Sequence, residues 1–314
     1  MKARTLIVIV RQAGSAAGII PAAEELLGNE SESSVSLVVI AFPQAVATCK
    51  EVADQPGQLM MHAVKTEDEA RSVFAKNIGK ASLIITGTSA EAEADAYYWR
   101  AARKHKVESI AYLDQWVNID QRFLGFTQEG WPDHLAVIDT HDERLARAIA
   151  PDSVQIHITG SPALDRIKRE VDRLRVNGIK ADPNRFVFAT EPVTNLELYR
   201  LENGFCDEDS FDLLVALMRF HHPSAILVMR LHPRDGRERW LPKLPADIRI
   251  EWDNETRANC LAHAGKIFGM RSFFLLEALA AGVPVVSLQP NKKTYCPLTD
   301  GRMPVVARPE DYRI

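Results

Sequence analysis

No stretch of this 314-residue sequence approaches the ~20 consecutive apolar residues of a membrane-spanning helix. Leu6 to Val10 follows Lys2 and Arg4 and so faintly has the look of a signal peptide, but the run is too short and Arg11 interrupts it; it reads as a first buried strand. Peripheral contact with a membrane surface stays open. Basic charge is not in excess either: the net charge is −4 and the pI about 6.2, which argues against broad binding to nucleic acid or to anionic membranes. Cysteine is scarce. Cys49, Cys206, Cys260 and Cys296 lie far apart and form no C-x-x-C pair, as expected of reduced thiols in a cytoplasmic protein. No G-x-G-x-x-G follows the first strand, and no acidic residue ends the second at Ile40, so a dinucleotide site is not expected. Repeats and low-complexity blocks are missing too. The nearest approach to a metal cluster, His141 with Asp139 and Asp142, reads better as the opening of a solvated helix, and no metal is expected.

What is present is length for about two domains, at ~150 residues each, and 46% hydrophobic residues to fill two cores. Apolar runs such as Leu6–Val10, Val35–Ile40, Ala81–Ile85 and Ser109–Leu113 alternate with helix-period segments, which predicts parallel sheets covered on both faces. A helix is expected from about Ile19 to Leu27, after a loop of small residues, Gly14-Ser15-Ala16-Ala17-Gly18. The helix Leu164–Val176 closes the first half, and Asn177–Arg185 reads as the linker. The pattern restarts at Phe186-Val187-Phe188, giving domains 1–176 and 185–314.

The richest segment is Lys266 to Pro290, KIFGMRSFFLLEALAAGVPVVSLQP. It predicts a strand, a turn at Gly269, a helix capped by Ser272, a stop at Gly282 and Pro284, and a second strand. Open amides at such a helix start attract phosphates. Glu277, further along, can accept from ribose hydroxyls, and Arg271 adds a cation that can fork onto phosphate oxygens. His232 lies just beyond the strand Ala225–Met229, where ligands gather in open parallel sheets, with Arg234 beside it; it can donate to a diphosphate or protonate a leaving oxygen. In the first half, Gly14 and Ser15 form one loop open to an acceptor or phosphate, and Thr88 and Ser89 form another. Asp114 ends a buried strand ahead of Gln115-Trp116 and is the first candidate for a general base, with Glu91 and Asp95 behind it. Each has a plain structural alternative: a cap, a dipole-complementing carboxylate or a turn aspartate.

Taken together, Ile158-Thr159-Gly160-Ser161-Pro162-Ala163-Leu164-Asp165, Leu231-His232-Pro233-Arg234 and the stretch Gly269–Pro284 resemble the glycosyltransferase B (GT-B) superfamily. Within it the chain is similar to nucleotide-sugar glycosyltransferases, hydrolysing nucleotide-sugar 2-epimerases and CDP-glycerol glycerophosphotransferases. Thr86-Gly87-Thr88-Ser89, with Ile110–Trp116, looks like bacterial polysaccharide-biosynthesis members. The resemblance implies two doubly wound, Rossmann-like domains facing across a cleft. The second would hold the nucleotide, and the first would supply the acceptor site and the base. It implies no resident cofactor: the donor, of UDP or CMP/CDP type, is a co-substrate, and the other partner is a sugar or lipid-linked acceptor. The expected activity is metal-independent glycosyl transfer in cell-surface polysaccharide or related glycan synthesis. A 2-epimerase is the alternative, although Arg11-Gln12-Ala13-Gly14-Ser15 stands where that family has G-T-R-P-E. Glycerophosphate transfer and a non-catalytic nucleotide-sugar binder are further alternatives.

Overall fold

The computed structural model describes residues 4–28, 35–52, 59–89, 92–114, 119–123, 125–191, 195–232 and 234–313. The chain divides into two compact units, Met1–Ala163 and Leu164–Ile314.

In the first unit the elements run β1 (Arg4–Val10), α1 (Ala13–Gly28), β2 (Val35–Ala41), α2 (Pro43–Val52), β3 (Leu59–Ala63), α3 (Glu67–Asn77), β4 (Ala81–Gly87), α4 (Ala92–His105), β5 (Glu108–Tyr112), α5 (Ile119–Phe123), β6 (His134–Val137), α6 (Thr140–Arg147) and β7 (Gln155–Ile158). The strands form one parallel sheet in the order β3-β2-β1-β4-β5-β6-β7. The continuous apolar run of β1 follows from burial on both faces. Val8 and Val10 pack on Ala16, Ile19 and Ile20 of α1. Ile7 and Ile9, on the opposite face, meet Phe74 of α3 and Tyr98 of α4. Each fully buried Val, Ile or Phe among these contributes roughly 1.5–3 kcal/mol.

The junction helix α7 (Pro162–Val176) leads into β8 (Asp182–Ala189), α8 (Leu196–Asn203), α9 (Asp207–His221), β9 (Ile226–Arg230), α10 (Arg237–Trp240), β10 (Ile250–Trp252), α11 (Arg257–His263), β11 (Ala264–Gly269), α12 (Phe273–Ala280), β12 (Val285–Leu288) and β13 (Val305–Val306). Here the parallel order is β10-β9-β8-β11-β12-β13. Phe186 and Phe188 of β8, Phe211 and Leu214 of α9, Trp240 and Phe268 share one core.

The structure departs from the sequence reading at three places. The loop foreseen at Gly14–Gly18 is the first part of α1, which starts at Ala13 rather than near Ile19 and takes Pro21 inside it. Its glycines serve close packing: a Cβ on Gly18 would stand 2.4 Å from Cε1 of Tyr112 on β5. The segment 177–185 is not wholly a linker, because β8 begins at Asp182. From Leu164 onward, α7 counts with the second unit. All four cysteines are unpaired and buried, and burial pushes the Cys49 thiol up to about 11 and that of Cys260 up to about 12. Among the described residues, no helix is long and apolar enough to cross a membrane.

Candidate functional site

In the second sheet the chain leaves β8 for β9 and β10 on one side and returns to β11 on the other. Loops diverge at such a reversal and leave a crevice at the carboxyl edge. A cleft of about 310 Å³ opens there, and its lining includes Thr190, Arg230, His232, Arg257, Ser272 and Glu277. His232 is held from two sides. Its N–H donates to Thr190 Oγ1 at 2.9 Å, and its Nδ1 accepts from the Arg234 N–H at 3.2 Å. An accepting Nδ1 leaves the proton of the neutral ring on Nε2. Burial, with help from the Arg234 charge, holds the imidazole below its ordinary pKa, so the neutral form prevails at neutral pH. Ser272 caps α12, its Oγ accepting from the Phe274 N–H at 3.2 Å.

Glu277 projects from the same helix and is 6% exposed. Its Oε1 accepts from Arg257 Nη1 at 2.8 Å. Burial raises its pKa, against the pull of Arg257 and Arg230. Arg230 pairs with Asp253 and lies 4.7 Å above the Phe274 ring. His232, Ser272 and Glu277, far apart in sequence, therefore share one cleft, whereas Arg234 and Arg271 are not among its lining residues. Arg234 is exposed and contributes its backbone N–H to His232. The Arg271 guanidinium binds Asn203 Oδ1 at 2.8 Å, Thr294 Oγ1 at 3.0 Å and the Thr294 carbonyl at 2.9 Å, and it lies 5.0 Å above the Phe205 ring. Behind the cleft, the Glu191 carboxylate accepts from the Arg271 and Ser272 backbone N–H groups.

The first unit has its own reversal, between β1 and β4. Asp95 fills it. Its Oδ1 accepts from Arg11 Nε at 2.7 Å, and its Oδ2 accepts from the Ser89 hydroxyl at 2.7 Å and N–H at 3.0 Å. Burial pushes the Asp95 carboxyl up, while Arg11 and Ser89 pull it down. Burial also works against the Arg11 charge, but Glu67 and Asp95 outweigh it and hold that pKa above its usual value. A cleft of about 390 Å³ opens over this network, lined by Arg11, Gln12, Phe42, Lys65, Glu67 and Ser89 among others. Asp114 stands one strand further along. Its Oδ1 accepts from Arg122 Nη1 at 2.9 Å, and its Oδ2 lies 3.4 Å from the Ser15 hydroxyl. Arg122 Nη1 also reaches Thr88 Oγ1 at 2.6 Å. Gly14 lies so close that a Cβ there would be 2.7 Å from Asp114 Oδ2. Gly14, Ser15, Thr88, Ser89, Asp95 and Asp114 thus gather at one sheet edge. Glu91 and Trp116 lie outside the described residues.

No family model matches the sequence, and no curated protein does either. Solved structures do match along nearly the whole chain. UDP-GlcNAc 2-epimerase from Methanocaldococcus jannaschii aligns over 98% of this chain and 90% of its own, with a TM-score of 0.62 and 15% identity. The enzyme of that name from Neisseria meningitidis, solved with UDP-GlcNAc bound, covers 98% and 88%, with TM-score 0.62 and 14% identity. Arabidopsis thaliana UGT89C1, complexed with UDP-L-rhamnose, covers 90% and 79%, with TM-score 0.53 and 10% identity. The chain has the GT-B fold. Within that GT-B frame, three functional candidates escaped the sequence reading: Arg257, Thr190 and Arg122. Arg257 follows a helix cap at Thr256, and nothing local ties it to Glu277, twenty positions on. Arg122 sits on a five-residue helix too short for a periodicity signal.

Proposed function

We propose that the protein is a metal-independent glycosyltransferase, moving a sugar from a UDP or CMP/CDP donor to a sugar or lipid-linked acceptor in cell-surface polysaccharide or related glycan synthesis. The observation that carries this reading is the meeting of His232, Ser272 and Glu277 around one cleft at the carboxyl edge of the second sheet. The donor's phosphates lie at the Ser272 helix start, where the positive end of α12 favours them. Nε2 of His232 donates to the leaving phosphate oxygen. Glu277 accepts from the ribose hydroxyls, with Arg257 holding its other side.

The base is Asp114. Both oxygens of Asp95 are held by strong donors, whereas Asp114 Oδ2 has only the long contact to Ser15 among the described residues. In the reaction the acceptor oxygen attacks the anomeric carbon and passes its proton to the base. The bond to phosphate breaks, and the charge that develops on phosphate is met by His232 and the helix start.

Incubation with UDP-, CDP-, GDP- and CMP-sugars, with and without acceptors, tests the reading: transfer must require both donor and acceptor. Asp114→Asn should lower transfer by roughly 10²–10⁴-fold while donor binding persists; unchanged transfer removes the assignment. A hydrolysing 2-epimerase is the second reading. The higher TM-scores of the two epimerases favour it, and release of free UDP plus an epimer without any acceptor would select it.

A further inference from the structure

We infer that Glu191 is a built-in competitor for the anion slot at the start of α12, and that a donor's phosphates bind only as its carboxylate gives way. This rests on the nucleotide-sugar reading and adds a gate to it. The amides of Arg271 and Ser272 stand directly ahead of α12, at the helix start that would draw a phosphate, and the Glu191 carboxylate already accepts from both. Glu191 reaches them across the β8–β11 reversal, from the residue after Thr190, and both Thr190 and Ser272 line the cleft. The Arg271 guanidinium, at this same turn, faces Asn203 and Thr294 instead.

The groups around Glu191 act in opposite senses. Burial is the largest influence and pushes its carboxyl up to about 7, aided by the negative charge of Asp207 and opposed by the two amides and the Arg271 charge. Asp207 is itself buried, with Oδ1 paired to Arg239 and Oδ2 without a hydrogen-bond partner among the described residues. Tyr199, also near, has its hydroxyl pKa raised by burial and by Glu191, and stays neutral. At neutral pH the Glu191 carboxyl is therefore divided between its two forms. Protonation weakens its hold on the amides and favours an entering dianion; deprotonation does the reverse. The same shift enters folding. A carboxyl raised in the native state binds protons there that the unfolded chain does not, so its contribution to stability is present at low pH and lost as pH rises through about 7.

The test is calorimetric titration of the full chain and of Glu191→Gln with UDP-GlcNAc, whose diphosphate does not titrate near neutrality, from pH 6 to 8.5. Inorganic sulfate in thermal-shift assays serves as a second, simpler anion. At pH 8.5, Glu191→Gln should bind UDP-GlcNAc at least tenfold more tightly than the wild type. The wild type should tighten severalfold on acidification through about pH 7, whereas the variant keeps only the lower-pH response of His232. Equal affinities with parallel pH profiles would overturn the gate and leave the nucleotide reading standing. If neither protein binds the nucleotide but sulfate stabilises only the variant, the gate stands and the nucleotide reading falls. If neither anion binds either protein, both fall. Should Glu191→Gln fold poorly, Glu191→Asp, which keeps the charge and shortens the reach, must still bind more tightly than the wild type at pH 8.5, and the wild-type pH profile is an independent check.

Discussion

Glu277 shows how one side chain can be both buried and available. Its carboxylate is 6% exposed, yet its partner Arg257 reaches it from a side chain that is 61% exposed. Removing Glu277 leaves Arg257 in water rather than stranded in the core. Glu277→Ala should therefore shift unfolding by no more than about 1 kcal/mol, while it weakens ribonucleotide binding by roughly 1–3 kcal/mol. Titrating UDP and its 2′,3′-dideoxy analogue separates the two effects: the variant should lose affinity for the first and little for the second, and an equal loss for both would remove the ribose assignment. At this scale the sequence was partly legible. Ser272 and Glu277 stand at cap and mid-helix spacing in one short segment, and that local pattern suffices to nominate them. The contacts that qualify their roles are not local. Glu191 meets the Arg271 amide across 80 positions, and Arg271 meets Asn203 across 68. No spacing rule joins such pairs, and a cation beside a phosphate turn cannot be read as turned away from it until the fold supplies its other neighbours.

At the scale of elements, helix starts carried the error. Between β1 and Ile19, Gly14 and Gly18 lower the local helix preference, and the stretch of small residues reads as a loop. It is helical because α1 must lie close to the sheet. Gly18 lets the helix approach Tyr112 of β5, and a methyl group there would meet the ring at 2.4 Å. Intrinsic preference points the other way, since alanine exceeds glycine in a helix by about 1 kcal/mol. Packing should win: Gly18→Ala is expected to destabilise the protein by about 1–3 kcal/mol through overpacking. Gly79→Ala, where nothing lies within 4 Å of the added methyl group, is the control and should change stability little. Chemical denaturation of both variants checks the sign. A stabilised Gly18→Ala protein would mean that helix preference, not the approach to Tyr112, governs this turn. The α12 segment was easier to read, because Ser272, Gly282 and Pro284 mark its ends with residues whose effects are local.

The whole molecule repeats one plan in two units, and the repetition was legible as alternating apolar runs and helices. Each unit reverses its strand order beside its first strand, and each places a carboxylate on an amide at that reversal: Asp95 on Ser89, Glu191 on Arg271. The two differ in how firmly they are held. Asp95 is 2% exposed and fastened from behind by Arg11, itself 9% exposed, and breaking a buried pair of this kind costs about 3–5 kcal/mol. Glu191 has no guanidinium bonded to it among the described contacts. An anion should therefore open the second reversal and leave the first shut. Hydrogen exchange with and without UDP-GlcNAc reads this directly. Added protection should fall on the amides of α12 and on the loops after β8 and β9, and exchange at Ser89 and along β1 and β4 should stay unchanged. Asp95→Ala supplies the opposite sign, with faster exchange through the first unit as Arg11 loses its buried partner. Protection by UDP-GlcNAc confined to the first unit would reverse the assignment of nucleotide and acceptor to the two halves.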